Sequence, residues 1–518
     1  MIDKIGIRKL RALWDTGMVD IKPLTIAVGK NSCGKSTWLR TFPLLEQTFL
    51  NKTSEPILWF ERSLVDFGSF EESYSKFKRM DELQSIDFSF EISFNRTIGI
   101  EQFWPWRMET ESTDTTSRLK ITKYIGKDKL LSQKINIFGY EINIDLRNYK
   151  VNINVDSKES TFDFSKHENR NFFISTIMLE NTKENRTLLR HFALNKLYDF
   201  VKQNVDKRIQ IENLSKELSR LTLVDKISFK RQLEDLKQRT KMSSFQKFYS
   251  KLLENEEFLD EFLSLFVFAT LDKINSIERD ELQNFYSNVN YIAPVRASAE
   301  RYYRKQGLSV EKIDSQGVNV PLYLYDLKRR SKKSYNEWQE WTEKYFQLKF
   351  DVADSSGHIS LFFLDEKSNS KYNLSDTGFG FSQILPILLT LWRSTKSNGA
   401  ERRIPFVKKS PSIIVIEQPE LHLHPAMQAQ LIRAFLEVIE YSETKGLDIR
   451  IIIETHSETI IKALGRFLSF KENDLYKDVN VLVFNSENPE KSNITVSSFG
   501  KDGFLENWPY GFFDADID

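Results

Sequence analysis

The sequence lacks the features that are typical of membrane proteins and of secreted proteins. It has one cysteine in 518 residues, which excludes an internal disulfide framework and suits a reducing compartment. No run approaches the roughly 18 apolar residues of a membrane span, and the N-terminus lacks the apolar core of a signal peptide. The net charge is only +1, so no overall field attracts nucleic acid. We expect a cytoplasmic protein without membrane contact, whose contact with DNA, if it makes any, is confined to local basic patches.

The composition is that of a folded protein with a large core, since 40% of the residues are apolar and 28% are charged. The pattern predicts three regions. Residues 1–95 alternate strand-like pieces around a glycine-rich loop. Residues 96–290 begin with alternating segments typical of antiparallel strands and continue, over about 185–285, with charged helices. These helices predict either a short antiparallel arm or a subdomain that covers the core. Residues 291–518 return to alternating strands and helices.

The glycine-rich loop is a specific signal. Residues 29–36 (GKNSCGKS) fit the pattern G-x-x-x-x-G-K-[ST] between an apolar run and a helix-like segment, the context in which this pattern binds nucleotide phosphates. Backbone N–H groups and the helix N-terminus attract the phosphates. Lys35 then contacts the β- and γ-phosphates, and the Ser36 hydroxyl ligates magnesium.

A second signal is an apolar strand that ends in an acid. Residues 413–416 are Ile-Ile-Val-Ile, followed by Glu417, Gln418 and Pro419. An acid in this place holds magnesium in nucleotide-hydrolysing ATPases. The next position, which usually carries the catalytic glutamate, is Gln418. The chain therefore predicts an ATPase whose hydrolysis is in question.

Two further segments complete the pattern. Ser375, Gly378 and Gly380 precede an apolar helix, where unsatisfied N–H groups form an anion site; the alternative is an ordinary N-cap. His456 follows an apolar strand and Thr455, where it can contact a γ-phosphate; the alternative is a polar residue that ends a strand.

The order of these motifs resembles that of ABC-type ATPase heads. The long insertion between Lys35 and Ser375 is similar to that of the SMC-like and OLD-like branches. More specifically, the sequence resembles a group of stand-alone bacterial ATPases. This group is similar to the ATPase subunits of anti-phage systems of the Septu type and is sometimes associated with retrons. The segments that carry this resemblance are residues 291–296, 375–383, 417–425, 454–458 and 508–513.

The resemblance implies an α/β fold, an ABC-type P-loop ATPase head with a mixed antiparallel β and helical insertion. It also implies a head-to-tail homodimer, or a higher oligomer, around two ATP molecules with Mg2+. In that arrangement Ser36 and Glu417 hold magnesium, and His456 is the switch histidine. Ser375, Gly378 and Gly380 reach across from the partner, and Arg8, Arg11 and Trp14 are candidates for stacking on adenine. The phosphate-binding residues implied are Asn31, Ser32, Cys33, Gly34, Lys35, Ser36 and Thr37.

The sequence departs from that family pattern in two places. The Gln418 amide cannot accept a proton, so it can position water without acting as a general base. Glu420 and His456 are the candidate substitutes, and we expect slow hydrolysis because phosphoryl transfer depends mainly on positioning. No obvious glutamine follows the first helix to sense magnesium; residues 65–69 occupy about that place.

Several side chains have a second interpretation. His422 and His424 face one side of an extended stretch, as metal ligands would, although the segment fits a subunit-crossing loop better. Cys33 is most simply a small loop residue, with a reactive thiol as the alternative. Arg296, Arg301 and the basic runs at 328–333, 402–403 and 408–409 are candidates for DNA contact, and solvated surface is the simpler interpretation.

Three functions follow from these observations. The first is an ATP-gated switch that senses infection and controls a separate effector nuclease, of HNH type or associated with a retron; no nuclease site is expected in this chain. The second is an ATP-stabilised scaffold with negligible turnover. The third is a DNA-repair or recombination ATPase with a tethering arm at 185–285.

Overall fold

The structure is a computed structural model. Among the residues it describes, no helix is long and apolar enough to cross a membrane. The described residues are 1–51, 53–76, 84–100, 112–156, 158–163, 183–305, 310–355, 357–365, 370–396, 410–471, 473–488 and 491–509. The basic runs at 402–403 and 408–409 and the end of the 508–513 segment lie outside them.

The strands in chain order are β1 (Ile2–Leu10), β2 (Leu13–Asp15), β3 (Val19–Asp20), β4 (Leu24–Gly29), β5 (Ile86–Arg96), β6 (Ser112–Ile125), β7 (Leu130–Ile137), β8 (Tyr140–Asp145), β9 (Lys150–Val155), β10 (Lys158–Asp163), β11 (Val289–Ile292), β12 (Tyr303–Arg304), β13 (Lys349–Ser355), β14 (His358–Asp365), β15 (Ser370–Asn373), β16 (Ser412–Glu417), β17 (Ile449–Glu454), β18 (Val479–Asn488), β19 (Lys491–Phe499) and β20 (Leu505–Glu506).

The helices are α1 (Lys35–Leu50), α2 (Phe70–Ser73), α3 (Lys183–Asn204), α4 (Ile211–Leu218), α5 (Lys226–Arg239), α6 (Ser243–Glu254), α7 (Glu256–Tyr286), α8 (Val320–Arg330), α9 (Lys332–Phe346), α10 (Phe379–Ser394), α11 (Pro425–Lys445) and α12 (Glu458–Ser469).

The chain divides into two compact units. The first comprises residues 1–8, 51–58 and 79–283, and the second comprises residues 9–50, 59–78 and 284–518. Strand β1 therefore begins in the first unit and ends in the second. The division at residues 95 and 290 stays a prediction.

The first unit contains an antiparallel sheet in the order β10-β9-β8-β7-β6-β5-β1. Its strands alternate between buried apolar and more exposed polar residues. In β8, for example, Ile142 and Ile144 are fully buried while Glu141 is exposed. This alternation is what a sheet with one covered face requires. The predicted antiparallel segment is therefore a meander of hairpins.

The helices α5, α6 and α7 pack on one another within the first unit. Phe229 of α5 lies 6.2 Å from Phe262 of α7, and Phe248 of α6 lies 5.7 Å from the same ring. Aromatic rings bury large areas and stabilise such contacts. The charged segment predicted from the sequence thus has its own packed core.

A buried ion pair joins the sheet of the first unit to helix α7. Lys123 of β6 contacts Glu278 of α7, and both side chains are fully buried. Gln133 of β7 bridges them, since its Oε1 accepts a hydrogen bond from Lys123 Nζ at 3.1 Å and its Nε2 donates to Glu278 Oε2 at 2.8 Å. Burial lowers the pKa of Lys123 while Glu278 raises it.

The second unit contains a largely parallel sheet in the order β2-β19-β18-β4-β17-β16-β11. The strands β18, β4, β17, β16 and β11 run parallel, and β4, β16 and β17 consist almost wholly of buried residues. Parallel strands are covered on both faces, which explains their continuous apolar runs. A functional site is expected at the carboxyl ends of such strands.

Helix α1 is buried along most of its length, with Trp38, Leu39 and Phe42 in the core of the second unit. A small antiparallel sheet, in the order β12-β14-β13 with β15 on β14, carries helices α8 and α9. The predicted fold class, an α/β head with a β-rich and helical insertion, is confirmed.

We expect Glu278→Gln to destabilise the protein, because the change leaves the Lys123 ammonium buried without its counter-ion. The expected loss is about 3–5 kcal/mol in the free energy of unfolding. Urea unfolding measures it. The control is Glu91→Gln, whose partner Arg118 is 75% exposed at 3.7 Å, and which should change stability by less than about 1 kcal/mol. Equal effects of the two variants would mean that Lys123 is buried in its neutral form.

Candidate functional site

The phosphate loop lies between β4 and α1, and its backbone requires glycine. Gly34 has φ +90°, and a Cβ there would lie 2.7 Å from Leu13 Cδ2. At Gly29 a Cβ would lie 2.6 Å from the carbonyl oxygen of Phe484. Ser32 also has a positive φ of 62°. The local fold is therefore one that only this spacing of glycines permits.

Lys35 is placed at the centre of the loop. Its side chain is 3% exposed, and Nζ donates to the carbonyl oxygens of Gly29 at 3.0 Å and Lys30 at 2.7 Å. The thiol of Cys33 donates to the same Lys30 carbonyl at 2.8 Å. Burial raises the pKa of Cys33 despite the nearby ammonium, which is the opposite of a reactive thiol. Cys33 is a structural residue of the loop.

Two carboxylates lie side by side at the ends of neighbouring strands. In the parallel register of β16 and β17, Glu417 pairs with Glu454, and their side chains are 2% and 3% exposed. The Ser36 hydroxyl donates to Glu454 Oε1 at 2.9 Å. The sequence predicts Ser36 together with Glu417, whereas the structure pairs Ser36 with Glu454.

Glu417 is held by two other side chains. Arg40 of α1 donates from Nε and Nη2 to its two oxygens, both at 2.8 Å, and the Tyr291 hydroxyl of β11 donates to Oε1 at 2.8 Å. Hydrogen bonding to Glu417 raises the pKa of Arg40. Burial, and then the charge of Glu417, raises the pKa of Tyr291.

Arg40, Tyr291 and Glu454 are not among the site residues that the sequence predicts. Arg40 carries a local signal, because it lies four positions after Ser36 and hence on the same face of α1. Tyr291 lies in the segment 291–296 that contributes to the family resemblance. The neighbouring sequence does not indicate that its hydroxyl contacts Glu417. Glu454 ends an apolar strand just as Glu417 does. This shared sequence pattern could have identified Glu454 as a site residue.

Glu454 is the less satisfied of the two acids. Burial raises its pKa to about 7, and the charge of Glu417 adds to this, while Ser36, Lys35 and Arg40 oppose it. Its second oxygen, Oε2, is buried without a hydrogen-bond partner among the described residues. Buried polar atoms of this kind call for an explanation, such as a bound ion. The donor set of a hydroxyl and two carboxylates fits magnesium.

The chain turns sharply after Glu417. Gln418 has φ +44°, and its N–H donates to the Glu454 carbonyl at 2.9 Å. Arg296 braces the turn, since Nη2 donates to the Glu417 carbonyl at 2.8 Å and reaches the Gln418 carbonyl at 3.3 Å. Arg296 is 3% exposed, so its interpretation as a DNA contact is wrong: its guanidinium points into the protein.

Glu420 and His456 approach the same place from two loops. Glu420 Oε1 accepts a hydrogen bond from the backbone N–H of His456 at 2.8 Å. Burial raises the pKa of Glu420. His456 Nε2 lies 4.0 Å from Glu454 Oε1, and burial together with the Lys35 charge lowers the pKa of the imidazole. Both effects favour the neutral form of the imidazole.

The serine-glycine segment lies on the surface of the second unit. Ser375 lies in a short turn, and its hydroxyl donates to Asn373 Oδ1 at 2.8 Å. Gly378 is the exposed N-cap of α10, and a Cβ there would meet no described atom within 4 Å. Gly380 is constrained, because its Cβ would lie 2.9 Å from the His422 carbonyl oxygen.

His422 and His424 serve the turn that leads into α11. His424 Nδ1 accepts a hydrogen bond from the Ala426 N–H at 3.3 Å and so caps the helix. His422 has a positive φ of 62°. In the described part of the chain, no group of three or more His, Cys, Asp or Glu side chains is placed to hold a metal. The histidine-metal interpretation thus has no further ligand to support it.

The remaining candidates have structural partners. The Arg11 guanidinium stacks on Phe67 at 4.4 Å, while Arg8 and Trp14 are half-buried in β1 and β2. Gln47 of α1 exchanges hydrogen bonds of 3.3 and 3.4 Å with the backbone of Val65. A glutamine of the first helix itself therefore holds the 65–69 segment.

Two of the basic candidates are paired with acids. Lys328 contacts Asp351 at 2.7 Å, and Arg301 contacts Asp376 beside the serine-glycine segment. Lys328 and Arg301 are therefore not free cations, because each is already in an ion pair with an aspartate. A basic patch for DNA stays a prediction.

Comparison with known proteins identifies the family. Residues 1–461 match the family model described as AAA ATPase domain. The chain belongs to this ATPase family. Membership implies ATP binding, and the phosphate loop described above lies within the matched residues. No curated protein sequence matches the chain.

Solved structures of SMC head domains resemble the chain only distantly. One is the Pyrococcus furiosus Smc head with an extended coiled coil bound to the C-terminal domain of ScpA, at 10% identity, 96% coverage of both chains and a TM-score of 0.36. A second is an Smc head bound to the C-terminal winged-helix domain of ScpA, at 9% identity, 96% and 98% coverage and a TM-score of 0.36. The Thermotoga maritima SMC head matches at 7% identity, 95% and 98% coverage and a TM-score of 0.31.

We expect Arg40→Met to destabilise the nucleotide-free ATPase, because it leaves Glu417 buried with only the Tyr291 hydroxyl. The expected loss is about 3 kcal/mol in the free energy of unfolding. Thermal unfolding without nucleotide measures the change. Arg433→Met, which breaks an exposed pair with Glu437, is the matched control and should have little effect. A variant at Arg40 as stable as this control would show that Glu417 does not need its arginine.

Proposed function

We propose that this chain is a slow, magnesium-dependent ATPase that pairs head-to-tail with a second copy when ATP is bound. The observation that carries the proposal is the pair of buried acids, Glu417 and Glu454, beside the phosphate-loop residues Lys35 and Ser36. Such a site suits a nucleotide whose phosphates arrive with a divalent cation.

Slow turnover is supported by the surroundings of the expected water position. Gln418 has an amide that cannot take a proton. Glu420 already accepts a hydrogen bond from the His456 N–H, and the pKa of His456 is lowered. Of the two substitutes, His456 is therefore the weaker base, while burial raises the pKa of Glu420 and its second oxygen, Oε2, has no hydrogen-bond partner among the described residues. Positioning and charge stabilisation still permit hydrolysis.

Pairing in trans is supported by the serine-glycine segment. Asp376 and Gly378 are exposed, and the N-terminus of α10 offers N–H groups to an anion. A phosphate of ATP bound to a second copy is the ligand that this surface suits. The same pairing would give a homodimer with two ATP sites.

The cellular role we propose is a cytoplasmic sensor that controls a separate effector nuclease in anti-phage defence. Its support is the motif resemblance described above. The alternative is a scaffold that uses bound ATP only for assembly, and the same Gln418 favours it. The sensor hydrolyses ATP slowly whereas the scaffold hydrolyses almost none, so a measurement of ATP turnover distinguishes the two functions.

We expect Gln418→Glu to raise ATP turnover, because a carboxylate at this position can accept the proton of the attacking water. The expected gain is on the order of 100-fold, measured by phosphate release. Gln203→Glu, an exposed position of α3, adds the same charge and should change nothing. Wild type should remain measurably above Lys35→Ala. If wild type binds ATP but turns over no faster than Lys35→Ala, the scaffold is the correct function.

We expect two inactive variants, Lys35→Ala and Gly378→Ala, to complement each other when mixed with ATP. In a head-to-tail pair, one of the two sites of a mixed dimer has neither change. Statistical mixing then restores roughly a quarter of wild-type turnover. Gly378 suits the test because a Cβ there meets no described atom within 4 Å, so the fold is unaffected. A mixture as inactive as its components would mean that each site is built within one chain.

A further inference from the structure

Helices α5 and α6 of the first unit carry a local excess of positive charge. Residues 226–254 contain eight lysines or arginines and three acids, a net charge of +5, whereas the whole chain has a net charge of +1. At the start of α5 this charge is balanced, because Lys226 and Lys230 both contact Glu256 of α7. The excess therefore lies at the other end of α5 and along α6.

A groove of about 630 Å³ lies along α6, beside the end of α5. Three lysines line it, Lys237 of α5 and Lys247 and Lys251 of α6, and Ser243 and Ser250 lie between them along the helix. A concave surface on which one sign of charge predominates focuses the electric field and concentrates ions of the opposite sign. The groove is therefore suited to an anionic ligand.

The lysines of the groove keep their charge available to a ligand. Lys237 and Lys247 form no ion pair and no hydrogen bond with any residue that the structure describes. Lys251 Nζ donates to the amide oxygen of Asn204 at 2.8 Å and lies 3.9 Å from the centre of the Phe258 ring. These two contacts hold the side chain in place without neutralising its ammonium group.

The chemistry of the groove favours phosphates over a protein partner. Lysine ammonium groups and serine hydroxyls are typical donors to the phosphates of DNA. The centre of a protein interface, by contrast, is enriched in aromatic side chains. The three aromatic residues of α6, Phe245, Phe248 and Tyr249, are at most 1% exposed and face the core. None of the described residues that line the groove is aromatic.

The same lining favours a DNA duplex over other nucleic acids. Single strands are usually bound by stacking their bases on exposed aromatic rings, which this lining does not offer. An RNA duplex is recognised over about 16 base pairs, across two minor grooves. Helix α6 has 12 residues and is thus about 18 Å long, which matches only about five base pairs of a DNA backbone.

We propose that this groove, which Lys237, Lys247 and Lys251 define together with Ser243 and Ser250, binds the phosphate backbone of double-stranded DNA without reading its sequence. It is distinct from the basic runs at 328–333, 402–403 and 408–409. The groove belongs to the first unit and the nucleotide site to the second, so this proposal does not rest on the proposed ATPase function.

The test uses the full-length protein without nucleotide and a fluorescent DNA duplex of about 20 base pairs, which is longer than the groove. Anisotropy is measured at several salt concentrations for wild type and for the double variant Lys237→Gln/Lys247→Gln. The matched control, Lys462→Gln/Lys501→Gln, removes the same charge from exposed positions of the second unit. Thermal unfolding verifies the fold of both double variants.

We expect the double variant in the groove to bind the duplex about 10-fold more weakly than wild type or worse. The logarithm of the affinity falls with the logarithm of the salt concentration by about 0.9 for each phosphate contact, so the slope should decrease by about two. The control should change neither quantity. Glu254→Gln removes the one acid among the described lining residues and should instead bind at least about twofold more tightly.

Several results would overturn the proposal. One is a wild type that does not bind the duplex, and another is a groove variant that binds it as tightly as the control does. A weaker affinity with an unchanged salt slope would mean that the lysines do not contact phosphates. Polyglutamate and an RNA duplex of similar length are the competing probes. If wild type binds either of them more tightly than DNA through these lysines, the groove serves an acidic protein or RNA.

Discussion

The site depends on one constraint, which is that two carboxylates are buried next to each other. Parallel pairing of β16 and β17 brings Glu417 and Glu454 to the same level at the sheet edge. Like charges repel strongly when little water separates them, so each acid needs its own compensation. Glu417 accepts hydrogen bonds from Arg40 and Tyr291. For Glu454, burial and the charge of Glu417 raise the pKa to about 7 even though the Ser36 hydroxyl and the charges of Lys35 and Arg40 oppose this. The two acids therefore differ in how many of their oxygens are already hydrogen-bonded.

The sequence predicts those parts of the site that are local in the chain. The loop at residues 29–36 and the strands that end at Glu417 and Glu454 follow from short patterns, an apolar run followed by polar residues. It does not predict the pairing of Arg40 with Glu417, because these residues are 377 positions apart. The sequence does not predict the strand order either, because no local pattern indicates that β17 lies between β4 and β16. The same holds for the first unit, which collects residues 1–8 and 51–58 with 79–283.

The turn after Glu417 links the acid pair to the serine-glycine segment. Gln418 adopts a positive φ that a side-chain-bearing residue takes only where its surroundings hold it. Arg296 provides this hold through the carbonyls of Glu417 and Gln418. Further along the same turn, the His422 carbonyl abuts Gly380 so closely that a Cβ would not fit. The turn that follows Glu417 is therefore in direct contact with the N-terminal turn of α10, at Gly380.

Charge balance explains why the ion should arrive with the nucleotide. The acid pair carries at most two negative charges, and Arg40 neutralises about one of them. Lys35 and Arg296 add further positive charge close to Glu454 and Glu417, and the described residues offer a divalent cation no third acidic or histidine ligand. Magnesium is reluctant to shed water for so few protein ligands and is usually bound through one or two carboxylates together with substrate phosphates. On the proposed function, the phosphates of ATP would supply the missing charge, so that the site would favour the metal-nucleotide complex over the metal alone.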